Sequence, residues 1–163
     1  MGVDIHMDIL HNGEVIKKDI FDGRNSEWFN NLQPDRGWDD EYGLLNICYG
    51  YPDETPEDYI KRYEDKRTYF GRHYIKVQDF VEWFWTYRPD KKAGWVTTYD
   101  KWRIENKGYI PEDLPTCLYK DDIIEDMHFI TYENRWDCSK WLVEYLMGNE
   151  IPVDAYIVYC FDC

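Results

Sequence analysis

Length, composition and charge set the first limits on this chain. Its 163 residues, 44% of them hydrophobic, suffice for one buried core, which excludes a disordered chain and a fold that depends on disulfides. The 33 acidic and 19 basic residues give a net charge of −14, which repels phosphate backbones and anionic membranes. We therefore expect a single domain over residues 1–163 with no direct nucleic-acid or membrane partner.

The first strands are predicted as a β-hairpin over residues 2–22, with an Asn-Gly turn at positions 12–13. Counting outward from this turn pairs position i with position 25 − i, which places isoleucines opposite each other on one face. The other face then pairs Asp8 with Lys17 and His6 with Asp19.

The rest of the chain is predicted to contain both helices and strands. Thr55, followed by a proline and two acids, is predicted to cap a helix that Gly71 ends. The inward side chains of this helix are Tyr59, Ile60 and Tyr63. The other expected elements are a helix over 26–32, a loop over 33–54, a strand over 73–76, helices over 77–87 and 98–107 (the latter ended by Gly108), a loop over 109–122, a strand over 127–133, a helix over 137–147 and a strand over 154–162.

This order of elements predicts an α+β fold. Too few strands alternate with helices for a doubly wound sheet, so we expect an antiparallel sheet that starts with the N-terminal hairpin. Three to five helices should pack mainly on one face of it. Residues 77–87 are apolar nearly all round, so this helix is buried either in its own core or by a partner.

The cysteines and the N-terminus indicate the compartment. The five cysteines are an odd number, and the opening residues lack the basic and apolar segments of a secretion signal. Both features are typical of reduced thiols in a cytoplasmic protein. Cys160 and Cys163 form a lone C-x-x-C for which we favour neither a zinc site nor a redox role.

A first candidate site lies on the first strand. Strand alternation puts Asp4, His6 and Asp8 in one row, where carboxylate and imidazole could bind a metal or act as an acid–base pair. Asp19, opposite His6 in the predicted register, could orient the imidazole. The alternative is a solvated hairpin face with two cross-strand charge pairs.

A second candidate site precedes the helix over 26–32. Arg24 supplies a fork suited to phosphate beside the free N–H groups of a helix start, and Asn25 could cap the helix or contact a ligand. Arg72 and His73 form a basic pair after a glycine and would add to such a site if the residues converge. A turn with a capping residue explains the same sequence around Arg24.

The N-terminal residues resemble a known family. Residues 2–6 (Gly-Val-Asp-Ile-His) and 23–25 (Gly-Arg-Asn) are similar to small uncharacterised phage and prophage proteins. Members open Met-Gly-Cys-Asp-Ile-His, continue with Gly-Arg-Asn-Tyr and end in a strand resembling residues 157–162; this chain has Val3 for the cysteine and Ser26 for the tyrosine. The resemblance implies a phage-type origin, hence the host-cell cytosol, and a polar cluster of Asp4, His6, Arg24 and Asn25.

Three functions remain open, and a non-enzymatic role is favoured over an enzymatic one. The first is binding, sequestering or processing of a phosphorylated small ligand such as a nucleotide, to counter host defence, through Asp4, His6, Arg24, Asn25 and His73. The second is an acidic inhibitor that docks on a basic host protein as a nucleic-acid mimic. The third is a metal-dependent phosphohydrolase with Asp4, His6 and Asp19 or Asp22 as ligands. The sequence indicates neither a cofactor nor an oligomeric state.

Overall fold

The computed structural model of the chain describes residues 2–33, 46–66, 68–111, 113–120, 126–134 and 137–163. Most of the predicted loop over 33–54 and part of that over 109–122 lie outside these ranges. In chain order the helices and strands are β1 (Asp4–His11), β2 (Glu14–Arg24), α1 (Ser26–Leu32), β3 (Cys48–Tyr49), α2 (Glu57–Glu64), β4 (Tyr69–Lys76), α3 (Val77–Tyr87), β5 (Lys91–Thr97), α4 (Thr98–Lys107), β6 (Met127–Glu133), α5 (Ser139–Gly148) and β7 (Tyr156–Asp162).

The predicted α+β fold class is confirmed. Five strands form one antiparallel sheet in the order β2-β1-β7-β4-β3, and β5 and β6 form a separate antiparallel pair. By its contacts the chain divides into two compact units, residues 1–88 with 139–163 and residues 89–138. That the two form a single domain stays a prediction. No helix in the described ranges is long and apolar enough to cross a bilayer.

The smaller unit contains β5, β6 and α4. The Thr97 hydroxyl caps α4 by accepting from the Asp100 N–H at 3.2 Å, and Gly108 ends the helix with φ +65°. The predicted bounds and glycine stop of α4 are thereby confirmed. Val96 and Tyr132 are buried on one face of the strand pair.

The hairpin register is confirmed only beside the turn. His11 pairs with Glu14 and Leu10 with Val15, as predicted, but two irregularities then shift the register until His6 faces Asp22. The predicted pairs of His6 with Asp19 and of Asp8 with Lys17 are therefore wrong. The physical reason is extra length in β2, which bulges near Asp19, a residue with φ +51°.

One face of the five-stranded sheet packs against α1 and α5. The rings of Phe29 and Phe161 lie 4.7 Å apart, and Phe21 contacts both Trp28 of α1 and Trp141 of α5. α3 in turn contacts α5. Helix 77–87 therefore buries one side in its own unit, through the side chains Val77, Phe80, Trp83 and Phe84.

The opposite face of the sheet packs against α2. Tyr59 and Tyr63 of this helix join a buried cluster with Leu10, Val158 and Cys160. The strands alternate between these two faces, so residues of even number on β7 meet α2 while those of odd number meet α1. The inward positions predicted for Tyr59 and Tyr63 are confirmed.

Both predicted ends of α2 are wrong. The Thr55 hydroxyl donates to the Pro52 carbonyl at 2.6 Å and makes no cap, so Pro56 is the N-cap residue and α2 begins at Glu57. The helix ends at Glu64, and Gly71 lies within β4 at φ +63°. Gly71 lies where the register between β4 and β7 shifts. Its positive φ therefore belongs to an irregularity in the strand and not to the end of a helix.

Candidate functional site

Asp4, His6 and Arg24 come together on the α2 face at the ends of β1 and β2. Asp4 lies opposite Arg24, and His6 opposite Asp22. Arg24 Nε donates to Asp4 Oδ1 at 2.9 Å, with both side chains substantially exposed. The arginine fork that was expected to hold a phosphate is thus already bound to a carboxylate.

Asn25 acts as a helix cap. Its side-chain oxygen accepts from the Trp28 N–H at 2.8 Å, and the helix that it starts, α1, spans only seven residues. Of the two roles considered for Asn25, the structure therefore shows the helix cap. The hydrogen bond to Trp28 occupies the side-chain oxygen that a ligand would otherwise contact.

The His6 imidazole is held by acidic and aromatic neighbours. Nδ1 lies 2.9 Å from Asp22 Oδ1, Nε2 lies 3.7 Å from Asp162 Oδ2, and the ring stacks on Tyr69 with 4.8 Å between centroids. Because a carboxylate only accepts, the neutral ring carries its proton on Nδ1. In that form Nε2 is an acceptor, and it is a buried atom of a residue that lines the small cavity between α2 and the sheet.

Asp8 is a buried carboxylate that the sequence placed on a solvated face. It is 1% exposed and accepts three hydrogen bonds: from the Asp19 N–H at 2.7 Å, the Tyr59 hydroxyl at 2.6 Å and the Tyr63 hydroxyl at 2.5 Å. Burial and the adjacent Asp8 charge raise the pKa of both tyrosines far above the usual value of a phenol, so both remain donors. The bulge at Asp19 supplies the third donor.

His73 does not join this group. It is buried on the opposite face of the sheet, with its ring 5.6 Å from that of Tyr159. Arg72, its neighbour in the chain, lies on the α2 side, where Nη2 donates to the Tyr63 carbonyl at 2.6 Å and Nη1 to the Tyr69 carbonyl. The basic pair seen in the sequence is thus divided between two faces.

The metal candidates do not assemble. Among the residues that the structure describes, no group of three or more His, Cys, Asp and Glu side chains could hold a metal ion. The bulge separates Asp19 from His6, whereas Asp22, the alternative carboxylate, lies 2.9 Å from His6 Nδ1, and Asp4 is paired with Arg24. Cys160 is buried, and burial raises the pKa of its thiol to about 12, so it is neither a ready metal ligand nor a nucleophile.

A cavity lies beside the turn of the hairpin, at the end opposite to Asp4 and Arg24. This turn cleft has a volume of about 310 Å³, near the lower end of the roughly 300–1,000 Å³ found for small-molecule sites. Its walls belong to the turn, to the segment before α2, and to the residues around the end of β4 and the start of β7. They are Leu10, His11, Asn12, Gly13, Pro52, Asp53, Glu54, Thr55, Lys76, Asp154 and Tyr156.

The turn cleft is predominantly acidic. Three exposed carboxylates, those of Asp53, Glu54 and Asp154, line it with one lysine, Lys76. His11 Nε2 lies 3.0 Å from Asp154 Oδ1. Two of the three carboxylates, Asp53 and Glu54, have no hydrogen bond or ion pair within the described part of the chain, whereas Lys76 lies 6.0 Å above the Tyr156 ring.

The turn itself shapes the cleft. Gly13 has φ +77°, and a Cβ there would come within 3.0 Å of the Glu54 carbonyl oxygen. The Asn-Gly signal predicted this turn, but nothing in the sequence linked it to residues 52–55 or to Asp154. Only the order of the strands, with β7 inserted beside β1, brings those three segments together.

No family model, no curated protein and no solved structure matches this chain.

Proposed function

We propose that this chain is a non-catalytic binding protein for a basic partner protein, and that the turn cleft receives a lysine side chain of that partner. The observation that carries the proposal is the lining of the cleft by three carboxylates against one lysine, in a chain whose net charge is −14. A positive partner is attracted by the field of the whole chain and then anchored at one cavity.

The lining of the turn cleft suits a long aliphatic cation. Tyr156 supplies apolar surface against which the methylene groups of a lysine can pack, and the buried residues Leu10 and Pro52 also line the cleft. Asp53 and Glu54 supply carboxylates for the ammonium group at its end. An anionic ligand would instead meet like charge at these two residues.

The phosphorylated-ligand and phosphohydrolase hypotheses stay predictions with less support. At the Asp4 end of the hairpin, a phosphate would have to displace Asp4 from Arg24 and would meet the carboxylates of Asp22 and Asp162 beside His6. The host-protein inhibitor that the sequence suggested is consistent with the present proposal, with the basic host protein as the partner.

The experiment is a fluorescence anisotropy titration of a labelled oligolysine peptide with the full chain at low salt. The double variant Asp53→Asn/Glu54→Gln removes two cleft charges without changing side-chain size. We expect its dissociation constant to rise at least about tenfold, which is the effect of losing about 1.4 kcal/mol of binding free energy.

The matched control is Glu144→Gln/Glu150→Gln. These residues are exposed and outside the cleft, and their substitution makes the same change in net charge. We expect less than a threefold change for this variant. Equal losses in both double variants would show attraction by general charge with no site at the cleft, and an oligolysine peptide that does not bind the wild-type chain would refute the proposed function itself.

A further inference from the structure

A second, much smaller cavity lies between α2 and the sheet. Its volume, counted as the space that the centre of a water molecule can occupy, is about 10 Å³. This is room for one water at most. It is bounded by polar groups that include His6, Asp8, Tyr51 and Arg72, with Val158 as an apolar wall. The cavity is separate from the turn cleft, with which it shares no lining residue.

Two buried nitrogen atoms of this lining make no hydrogen bond to any described residue. They are His6 Nε2 and Arg72 Nε. The nearest carboxylates are too distant for a hydrogen bond, since Asp162 Oδ2 is 3.7 Å from His6 Nε2 and Glu64 Oε1 is 3.6 Å from Arg72 Nε. A buried polar atom left in this state destabilises the fold, and folded proteins avoid it almost everywhere.

The two nitrogens have complementary chemistry. In the neutral form of the His6 imidazole, Nε2 is an acceptor, because Nδ1 faces the Asp22 carboxylate and therefore carries the proton. Arg72 Nε always carries a proton and is a donor. A molecule that satisfies both must donate one hydrogen bond and accept another.

We propose that this cavity binds one water molecule, which donates to His6 Nε2 and accepts from Arg72 Nε. The second hydrogen of the water is directed to Asp8, whose two oxygens accept three hydrogen bonds and retain capacity for a fourth. Three polar partners are the usual number for a buried water.

Charge and size exclude the other small ligands. A metal or ammonium ion would face the guanidinium of Arg72 and could accept nothing from its Nε–H. A chloride or phosphate would face the buried carboxylate of Asp8, and phosphate exceeds the available space. A neutral molecule of one heavy atom that both donates and accepts fits the site.

The water completes a continuous chain of polar contacts. Asp22 on β2 contacts His6 on β1, the water joins His6 to Arg72 on β4, and Arg72 pairs with Glu64 on α2. One water thereby links three strands to the helix that covers them, beside the Asp8 network that fastens the same helix.

A crystal structure of the full chain at about 1.5 Å resolution tests the site directly. We expect a solvent peak roughly 2.7–3.2 Å from both His6 Nε2 and Arg72 Nε. An unfilled cavity, or a rotated His6 or Arg72 that finds a protein partner for its nitrogen, would overturn the proposal.

A pair of variants tests it in solution. Val158→Ile adds one methylene group at the cavity wall and so expels the water, whereas Val143→Ile adds the same group at a buried site on α5 that does not line the cavity. We expect Val158→Ile to raise the equilibrium constant for unfolding about tenfold more than Val143→Ile, because it leaves two buried nitrogens without partners. A dry cavity would give the opposite order, since filling an empty space stabilises the fold.

Discussion

The carboxylate of Asp8 fixes α2 to the sheet through contacts from two elements at once. Tyr59 and Tyr63, one turn apart on α2, both direct their hydroxyls to it, and the bulged backbone at Asp19 adds an N–H. A charge this deeply buried needs several hydrogen bonds to be stable. Its contribution is therefore structural, and the sequence feature behind it is the spacing of two tyrosines four positions apart.

Substitution of Asp8 by Asn should destabilise the chain strongly. The amide keeps the size of the carboxylate but replaces one acceptor oxygen by an NH₂ group that faces donors. We expect a loss of roughly 2–4 kcal/mol in the free energy of unfolding, measured by urea denaturation. Asp4→Asn, which breaks only the exposed pair with Arg24, should cost less than about 1 kcal/mol, and similar losses in the two variants would contradict the role given to Asp8.

Cys160 should be the least reactive of the cysteines. Burial raises its thiol pKa to about 12, whereas Cys48, Cys117 and Cys163 are exposed. At pH 8 we expect iodoacetamide to alkylate Cys160 at least about 100-fold more slowly than Cys48, followed by mass spectrometry of the native chain. Comparable rates for the two thiols would contradict the buried position of Cys160.

The same raised pKa has a consequence for stability at high pH. The thiol of Cys160 is protonated in both states below about pH 9, its ordinary pKa, and between pH 9 and 12 it ionises first in the unfolded chain. Its contribution to stability is therefore lost as the pH rises through this window. Cys160→Ala should unfold with a weaker pH dependence above pH 9 than the wild type in urea denaturation, and an unchanged dependence would count against the raised pKa.

The irregularity of β4 is set by Gly71. A Cβ at this position would come within 2.7 Å of the Phe161 ring, and φ is +63°. Gly50 also has a positive φ, of +83°, but nothing lies within 4 Å of its Cβ position. The two glycines therefore separate the cost of backbone conformation from the cost of a collision.

Gly71→Ala should destabilise the fold by about 1–3 kcal/mol more than Gly50→Ala. An alanine at either position is destabilised by the left-handed backbone conformation. Only the alanine at position 71 must also displace a buried ring. The difference in free energy of unfolding, from chemical denaturation of the two variants, measures the collision alone. Equal losses in the free energy of unfolding would mean that the Phe161 ring moves aside without destabilising the fold.

Local signals in the sequence predicted many of the elements. The Asn-Gly turn, the 77–87 helix, the glycine stop after α4 and the 127–133 strand each depend on neighbouring residues, and each lies where it was predicted. The bulge at Asp19 was missed because it requires a positive φ, and the sequence has no glycine at this position to indicate one. The environment of Asp8 was predicted wrongly for a different reason: helices were expected mainly on one face of the sheet, whereas α2 covers the face on which Asp8 lies.

The candidate sites were harder to predict because they depend on long-range order. The residues around Asp4 do converge, through direct strand pairing, but their pairing partners differ from those expected. The turn cleft joins residues 12–13, 53–54 and 154, which no pattern in the sequence connects. Such a site follows only from the position of β7 between β1 and β4.

The net charge of −14 should govern the strength of association with a basic partner. We expect the dissociation constant of the oligolysine peptide to rise at least about tenfold between 50 and 500 mM salt, because screening shortens the range of the field. Anisotropy titrations over this range measure it. Affinity that is independent of salt would contradict an electrostatic partner surface.

NMR can locate the bound peptide on the surface of the chain. Backbone ¹H–¹⁵N spectra of the chain, titrated with the oligolysine peptide, should shift most at the turn cleft, at Asn12, Gly13, Glu54 and Asp154. Residues beside Arg24, at the other end of the hairpin, should shift little. The largest shifts at Asp4, His6 and Arg24, or small shifts spread evenly over the acidic surface, would contradict a lysine site at the turn cleft.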